Sequence, residues 1–203
     1  LETNFKIYIE DSITNIKPSE WDNCNHKGNI FLSYNFLKLL EDSNSINISN
    51  GWKPIYFCLK VNSKIIAIVP SFIKSHSQGE FVFDHAWAQA YQSYGLNYYP
   101  KLLIASPFSP VTGSRVLMNS NGNEIIKEKL FDYIKDFCIE NTISSIHVNF
   151  FNENELDFFK NQKFLIRYGE QFHFINKEYT SFNDFLNNLS YKNRKKIIKE
   201  RSS

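Results

Sequence analysis

Cysteine is scarce in this chain. Cys24, Cys58 and Cys138 are an odd number of thiols, far apart, with no CxxC pair among them. That pattern excludes a fully paired disulfide framework and offers neither a zinc knuckle nor a redox dithiol. The thiols read as reduced groups of a cytoplasmic protein, and Cys58 and Cys138 lie in apolar runs that place them in a core. No stretch approaches the roughly 18 apolar residues that a membrane span needs. No basic region followed by an apolar run marks a signal peptide at the N-terminus. An excess of one charge is also missing: 23 Lys and Arg face 21 Asp and Glu, a net charge of +2. Such a balance makes no general case for nucleic-acid or membrane binding. No internal repeat or low-complexity tract occurs.

The 203 residues are 42% hydrophobic and 22% charged, which suits one large globular domain with its own core. Alternation over residues 5–9 predicts a first strand, with Phe5, Ile7 and Ile9 on one face. Pro18 begins a helix. Ser33 caps a second over 34–41, with Phe36, Leu37 and Leu40 inward. Residues 52–61 and 64–73 form two apolar strands joined through Asn62-Ser63 as a hairpin. Residues 80–84 alternate like a strand, and 101–105 form another. Helical spacing of Ile125, Ile126, Leu130, Tyr133, Ile134 and Phe137 predicts a helix over 123–140. A buried strand follows over 145–151, then a short helix from Asn152 to Phe159. Residues 164–174 read as one bent strand or a strand pair around Gly169. Ser181 caps a last helix, with Phe182, Phe185, Leu186 and Leu189 inward, and 191–201 continue as a basic helix. This order describes an α/β or α+β layer domain, not a doubly wound parallel sheet.

Residues 74–115 hold few charges for their length: Lys74, Glu80, Asp84, Lys101 and Arg115. Set among aromatics and turn residues, sparse charges describe the wall of a cleft. His76, Glu80, Asp84 and His85 form the tightest titratable cluster. It is a general base or substrate clamp, or a solvated strand edge, or a metal site, although no HExxH-like spacing supports the last. On a strand, Glu80 and Asp84 share a face, and two close carboxylates raise one pKa to make a base. Glu80 and Asp84 are thus the candidate bases, with His76 as partner. Lys101 and Arg115 are candidate anchors for a phosphate or carboxylate, or surface cations near turns. Trp87, Tyr98 and Tyr99 are candidate substrate-contacting aromatics of the same wall. His147, inside an apolar strand, reads as structural. His173 is a substrate-binding candidate or an edge histidine. The basic run with Lys192 and Arg194 is a solvated helix face, or a grip for a phosphate-bearing partner such as tRNA.

Several blocks carry a resemblance. They are Lys74-Ser75-His76-Ser77, Gly79-Glu80, Val82-Phe83-Asp84, Trp87-Ala88, Ala90-Tyr91, Tyr98 to Leu102, Pro107-Phe108 and Pro110 to Gly113 with Arg115. Later ones are His147-Val148, Gln171-Phe172-His173, and 182–189 with Lys192 and Arg194. The chain resembles the FemAB-like branch of the Gcn5-related N-acetyltransferase (GNAT) superfamily from about Ser33 onward. The resemblance implies a GNAT-like mixed, mostly antiparallel sheet flanked by helices on both faces. It implies a GNAT-like subdomain over 1–178, and a basic helix over 179–203 leading into a second such half. The implied activity is transfer of an acyl or aminoacyl group to an amine, from acyl-CoA or aminoacyl-tRNA, onto a small-molecule or peptide acceptor. The alternative is a non-catalytic module that recognises cell-wall peptide or glycan. The Q/RxxGxG/A loop that precedes the pyrophosphate-binding helix in GNAT domains is absent; Ser120-Asn121-Gly122-Asn123 stands in its place.

Overall fold

The computed structural model describes residues 5–24 and 28–202. The chain divides into two compact units, Leu1–Leu165 and Ile166–Ser203.

The first unit runs β1 (Phe5–Glu10), α1 (Pro18–Cys24), α2 (Tyr34–Asp42), β2 (Trp52–Val61), β3 (Lys64–Lys74) and α3 (His85–Ser93). It continues with β4 (Lys101–Ile104), β5 (Leu117–Met118), α4 (Glu124–Glu140), β6 (Ile146–Val148) and α5 (Leu156–Asn161). Local chemistry sets several boundaries. Ser33 accepts from the Phe36 N–H to start α2, and Asn123 accepts from the Ile126 N–H to start α4. Asn62 and Ser63 both take positive φ, 48° and 67°, the left-handed pair that matches the twist of a tight β2–β3 hairpin.

The strands form a six-stranded sheet in the order β1-β2-β3-β4-β6, with β5 paired to β3. All pairings are antiparallel except β4 with β6, where Leu103 lies opposite His147. Adjacent residues of β2 show that both faces are covered. The Tyr56 ring meets Trp21 of α1 edge-on at 5.2 Å between centroids. The next residue, Phe57, meets Phe137 of α4 at 5.3 Å. Side chains alternate across a strand, so α1 and α4 cover opposite faces. Burial on both faces explains why β2 and β3 read as continuous apolar runs rather than alternating ones. The mixed, mostly antiparallel sheet with helices on both faces is the architecture that the family resemblance implies.

Three expectations need correction. Residues 80–84 form no strand. Phe81 takes φ 57°, and α3 begins immediately after Asp84. The strand expected over 145–151 is shorter, Ile146–Val148, because Phe150 takes φ 54°; Phe151 makes only an isolated bridge to Gly113. The third lies in the second unit.

The second unit holds α6 (Phe182–Asn187), capped by Ser181, and α7 (Tyr191–Arg201), capped by Ser190. Residues 164–174 pair with no strand, and Phe172 is fully exposed. An alternating pattern needs a ladder partner to become a strand, and none of the described residues supplies one. Of the expected inward residues of α6, Leu186 is buried while Phe182 stays exposed.

Candidate active site

All five charged side chains of residues 74–115 are buried. Lys74 and Lys101 have no exposed surface, and Asp84, Arg115 and Glu80 retain 1%, 1% and 4%. These sparse charges are internal machinery, not cations and anions set along a cleft rim.

Lys101 organises the group. It opens β4 and lies opposite Lys74, the last residue of β3. Its ammonium donates to Asp84 Oδ2 at 2.5 Å, Ser77 Oγ at 2.7 Å and Glu80 Oε2 at 2.8 Å. Three N–H donors therefore meet three oxygens, the full capacity of a lysine. Tyr98 Oη donates to Asp84 Oδ2 at 2.7 Å and lies 3.3 Å from His147 Nε2. His147 Nε2 is also 2.9 Å from Ser145 Oγ, and Tyr99 Oη is 2.8 Å from Ser77 Oγ. Beside them, Lys74 Nζ sits 3.6 Å from the Trp52 ring centroid and donates to the carbonyls of Gly51 and Gln78.

Two oxygens in this cluster have no hydrogen-bond partner among the described residues: Glu80 Oε1 and Asp84 Oδ1. Buried carboxylate oxygens are ordinarily hydrogen-bonded, so each orphan marks a place for a donor. The two carboxyls also differ in acidity. Burial raises the Glu80 pKa against the opposing pull of Lys101 and Lys74. Burial pushes Asp84 up too, but its hydrogen bonds from Lys101 and Tyr98 and the Lys101 charge overcome it and hold the group at about 2. Burial, then the hydrogen bond and charge of Asp84, keep the Tyr98 phenol protonated. Burial, and secondarily Lys101, lowers His147 to about 4, so its imidazole is neutral. Burial lowers Lys74 to about 7.

The turn bearing both carboxylates is built unusually. Its apolar residues face out, with Phe81 and Phe83 exposed, while Glu80 and Asp84 point in. Residues 77–83 belong to no strand or helix. Side-chain bonds to Lys101, and the Lys74 bond to the Gln78 carbonyl, hold the turn down.

The other candidates lie elsewhere or act differently. His76 does not partner either carboxylate: its Nε2 is 2.9 Å from the Asn50 carbonyl, and its Nδ1 accepts from the Gln78 N–H. Arg115 is no surface anchor. Its guanidinium donates to the carbonyls of Asn149 (2.7 Å), Val111 (2.5 Å) and Phe150 (2.8 Å) and to Ser106 Oγ (3.2 Å), stitching together the segments beyond β4 and β6. Trp87 lies half-exposed on α3. His173 is exposed in the second unit, bonded to Gln171. Arg194 donates to the carbonyls of Leu186, Asn187 and Leu189 and so caps the end of α6, whereas Lys192 is exposed on α7. Sequence reasoning undervalued Ser77 and His147. Ser77 stands within the Lys74-Ser75-His76-Ser77 block but carries no charge, and His147 is hidden in an apolar strand.

A cleft of about 620 Å³ opens beside the N-terminus of α4, lined by Thr112, Gly113, Asn119, Ser120, Gly122 and Asn152 among others. No charged side chain lines it. Among the described residues, no group of three or more His, Cys, Asp or Glu is placed to hold a metal ion. No helix among them is long and apolar enough to cross a membrane.

The fold is that of an acetyltransferase-type domain. The FemAB-like family model, described as peptidoglycan biosynthesis/recognition, matches residues 12–203, so the chain belongs to that family. No curated protein matches the chain. An aminoglycoside acetyltransferase from an uncultured soil metagenomic sample, solved with trehalose, is similar at 14% identity and TM-score 0.50, covering 87% of this chain and 99% of its own. An aminoglycoside N-acetyltransferase solved with CoA is 10% identical with TM-score 0.48, covering 86% of this chain and 95% of its own. Glucosamine-6-phosphate N-acetyltransferase from Arabidopsis thaliana is 12% identical with TM-score 0.47, covering 85% and 99%. At such identities the likeness concerns the fold.

Proposed function

We propose that this protein is an N-acyltransferase in which Glu80 is the base that takes the proton from an acceptor amine. The observation that carries the reading is Glu80 itself: a buried carboxylate with an orphaned oxygen and a raised pKa. Amine attack on an acyl donor is served best by a proton acceptor whose pKa is raised toward the working pH. Asp84, on the same ammonium, is driven the other way, and such divergence separates a base from a fixed charge. In this scheme Asp84 and Lys101 hold the turn and orient Tyr98. Tyr98, a phenol that stays protonated, is the candidate donor of a proton to the leaving group.

The donor belongs in the cleft beside α4. Backbone N–H groups at a helix N-terminus and the helix dipole suit a phosphate-bearing group, and this cleft reaches Gly122, just before α4, with no charged side chain in its lining. That supports an acyl-CoA. An aminoacyl-tRNA donor rests instead on Lys192, Lys195, Lys196 and Lys199, spaced along one stripe of α7. The acceptor is a small-molecule or peptide amine.

The test is steady-state transfer with acetyl-CoA and with aminoacyl-tRNA over a panel of amines, comparing wild type, Glu80→Gln and Asp84→Asn. Loss of about 10²-fold or more in kcat for Glu80→Gln, with donor binding kept, is expected. Equal kcat for Glu80→Gln and wild type removes Glu80 as base. No transfer from either donor favours a recognition module.

A further inference from the structure

A second cleft, about 520 Å³, lies on the outer side of the turn that carries Glu80. Ser45, Ser49, Asn50, Trp52, His76, Gln78, Gly79 and Phe108 line it, with no acidic side chain, Lys or Arg among them. Its floor is aromatic. The Phe108 and Trp52 rings stack at 4.6 Å between centroids, tilted by 43°, and Phe108 keeps 37% of its surface exposed. Holding that ring in place costs backbone energy. Phe108 takes φ 52°, a left-handed conformation rare for a bulky residue, and such strain persists where the surroundings enforce it, often at ligand sites. Gly79 completes the fit: a Cβ there would meet Phe108 at 2.8 Å and Trp52 at 3.1 Å. The rim is the opposite of the floor. It carries two hydroxyls, two amides and an imidazole; the His76 ring is already bonded to Asn50 and Gln78, which leaves the Ser45 and Ser49 hydroxyls and the Gln78 amide to meet a ligand.

We infer that this cleft binds a neutral pyranose ring of a glycan. One exposed aromatic face offers a platform for the C–H side of a sugar, and the hydroxyl and amide rim answers its O–H groups. The absence of charge disfavours a phosphate or carboxylate ligand. Gly79 lies next to Glu80 in the chain, so a sugar here would sit against the turn that holds the proposed base. The inference deepens the acyl-transfer reading, but its test needs neither donor nor turnover.

The experiment is a binding titration of the full chain with chitotriose, cellotriose and maltotriose, followed by saturation-transfer NMR and tryptophan fluorescence. At least one sugar is expected to bind and to perturb the Trp52 signal. Phe108→Ala is expected to weaken it about tenfold or more, roughly the value of an aromatic contact of 1.4 kcal/mol. Gln78 is exposed and its side chain is not packed into the core, so Gln78→Ala keeps the fold and is expected to weaken binding about threefold or more, the share of one hydrogen bond. Circular dichroism checks that each variant is folded. Binding by none of the three sugars overturns the inference, as does binding that the folded variants leave unchanged. A Gly/Ser peptide that shifts the same residues while the sugars do not also overturns it. Such a failure leaves acyl transfer untouched, because Glu80→Gln tests that separately.

Discussion

Lys74 and Lys101 face each other across the β3–β4 ladder, and neither has any exposed surface. Like charges directly opposite on a sheet are destabilising. The pair is tolerable because each amine has a different solution. Lys101 is wrapped by two carboxylates and a hydroxyl, whereas Lys74 rests on the Trp52 ring with two carbonyls, and burial lowers its pKa to about 7.

Removing Lys101 should be severe. Lys101→Met leaves Glu80 and Asp84 buried without their cation, and breaking such a group costs about 3–5 kcal/mol. Urea denaturation is expected to show that loss. Adding Glu80→Gln and Asp84→Asn to the same chain is expected to recover part of it, because the buried charge is gone. If the triple variant is less stable than Lys101→Met alone, the ion-pair account is wrong.

Lys74 should leave a signature at alkaline pH. Its folded pKa of about 7 lies below the ordinary 10.5, so between these values the unfolded chain binds a proton that the folded chain does not. Stability from this residue therefore rises with pH across that window, and the penalty is full below pH 7. Lys74→Met is expected to flatten the rise in a series of denaturation curves from pH 6 to pH 10. A slope equal to wild type would show that Lys74 keeps its proton.

Asp84 works at the other end of the scale. Its folded pKa of about 2 lies below the ordinary 3.8, so its stabilisation is complete above pH 4 and is lost as pH falls toward 2. Asp84→Asn is expected to reduce stability at neutral pH and to lessen the acid-dependent part of the unfolding transition. Thermal melts between pH 2 and pH 5 measure both.

Arg115 is expected to resist conservative replacement. Its planar fork serves three carbonyls and a hydroxyl at once, a geometry that the lysine point charge does not reproduce. Arg115→Lys should cost about 2–4 kcal/mol through buried acceptors left without donors. Calorimetry reads the loss as a lowered Tm.

The thiols give a direct check of the core. Burial raises Cys24, Cys58 and Cys138 to about 12, and each is buried without a disulfide partner. Ellman's reagent is expected to react slowly with the folded chain and to titrate all three once it is denatured. Rapid reaction of any thiol in native buffer contradicts its placement.

Much of the architecture was legible because local signals and packing agree. The Asn62-Ser63 hairpin, the caps at Ser33 and Asn123, and the helical spacing of α4 all state their structure within a few residues. The candidate site was legible in its members but not in its arrangement. Residues 80–84 alternate as a half-buried strand does, yet the pattern is inverted: the carboxylates are inside and the phenylalanines outside. Lys101, some twenty positions later, pulls them in, and no local pattern carries that information. Helix α3 escaped for another reason. Its Ala and Gln favour a helix, but it buries no residue, so no apolar stripe announces it. His147 looked inert because an apolar strand conceals a side chain that reaches Tyr98.

The turn over 77–83 has a consequence for how the molecule fluctuates. It belongs to no strand, so it can swing away while every ladder from β1 to β6 stays intact. Opening it breaks side-chain bonds to Lys101 and Lys74 rather than a ladder, and such local opening costs less than global unfolding. The carboxylates beneath it are thus sealed statically and reachable kinetically: amides 77–83 should exchange with solvent early, while those of β4 directly underneath outlast them.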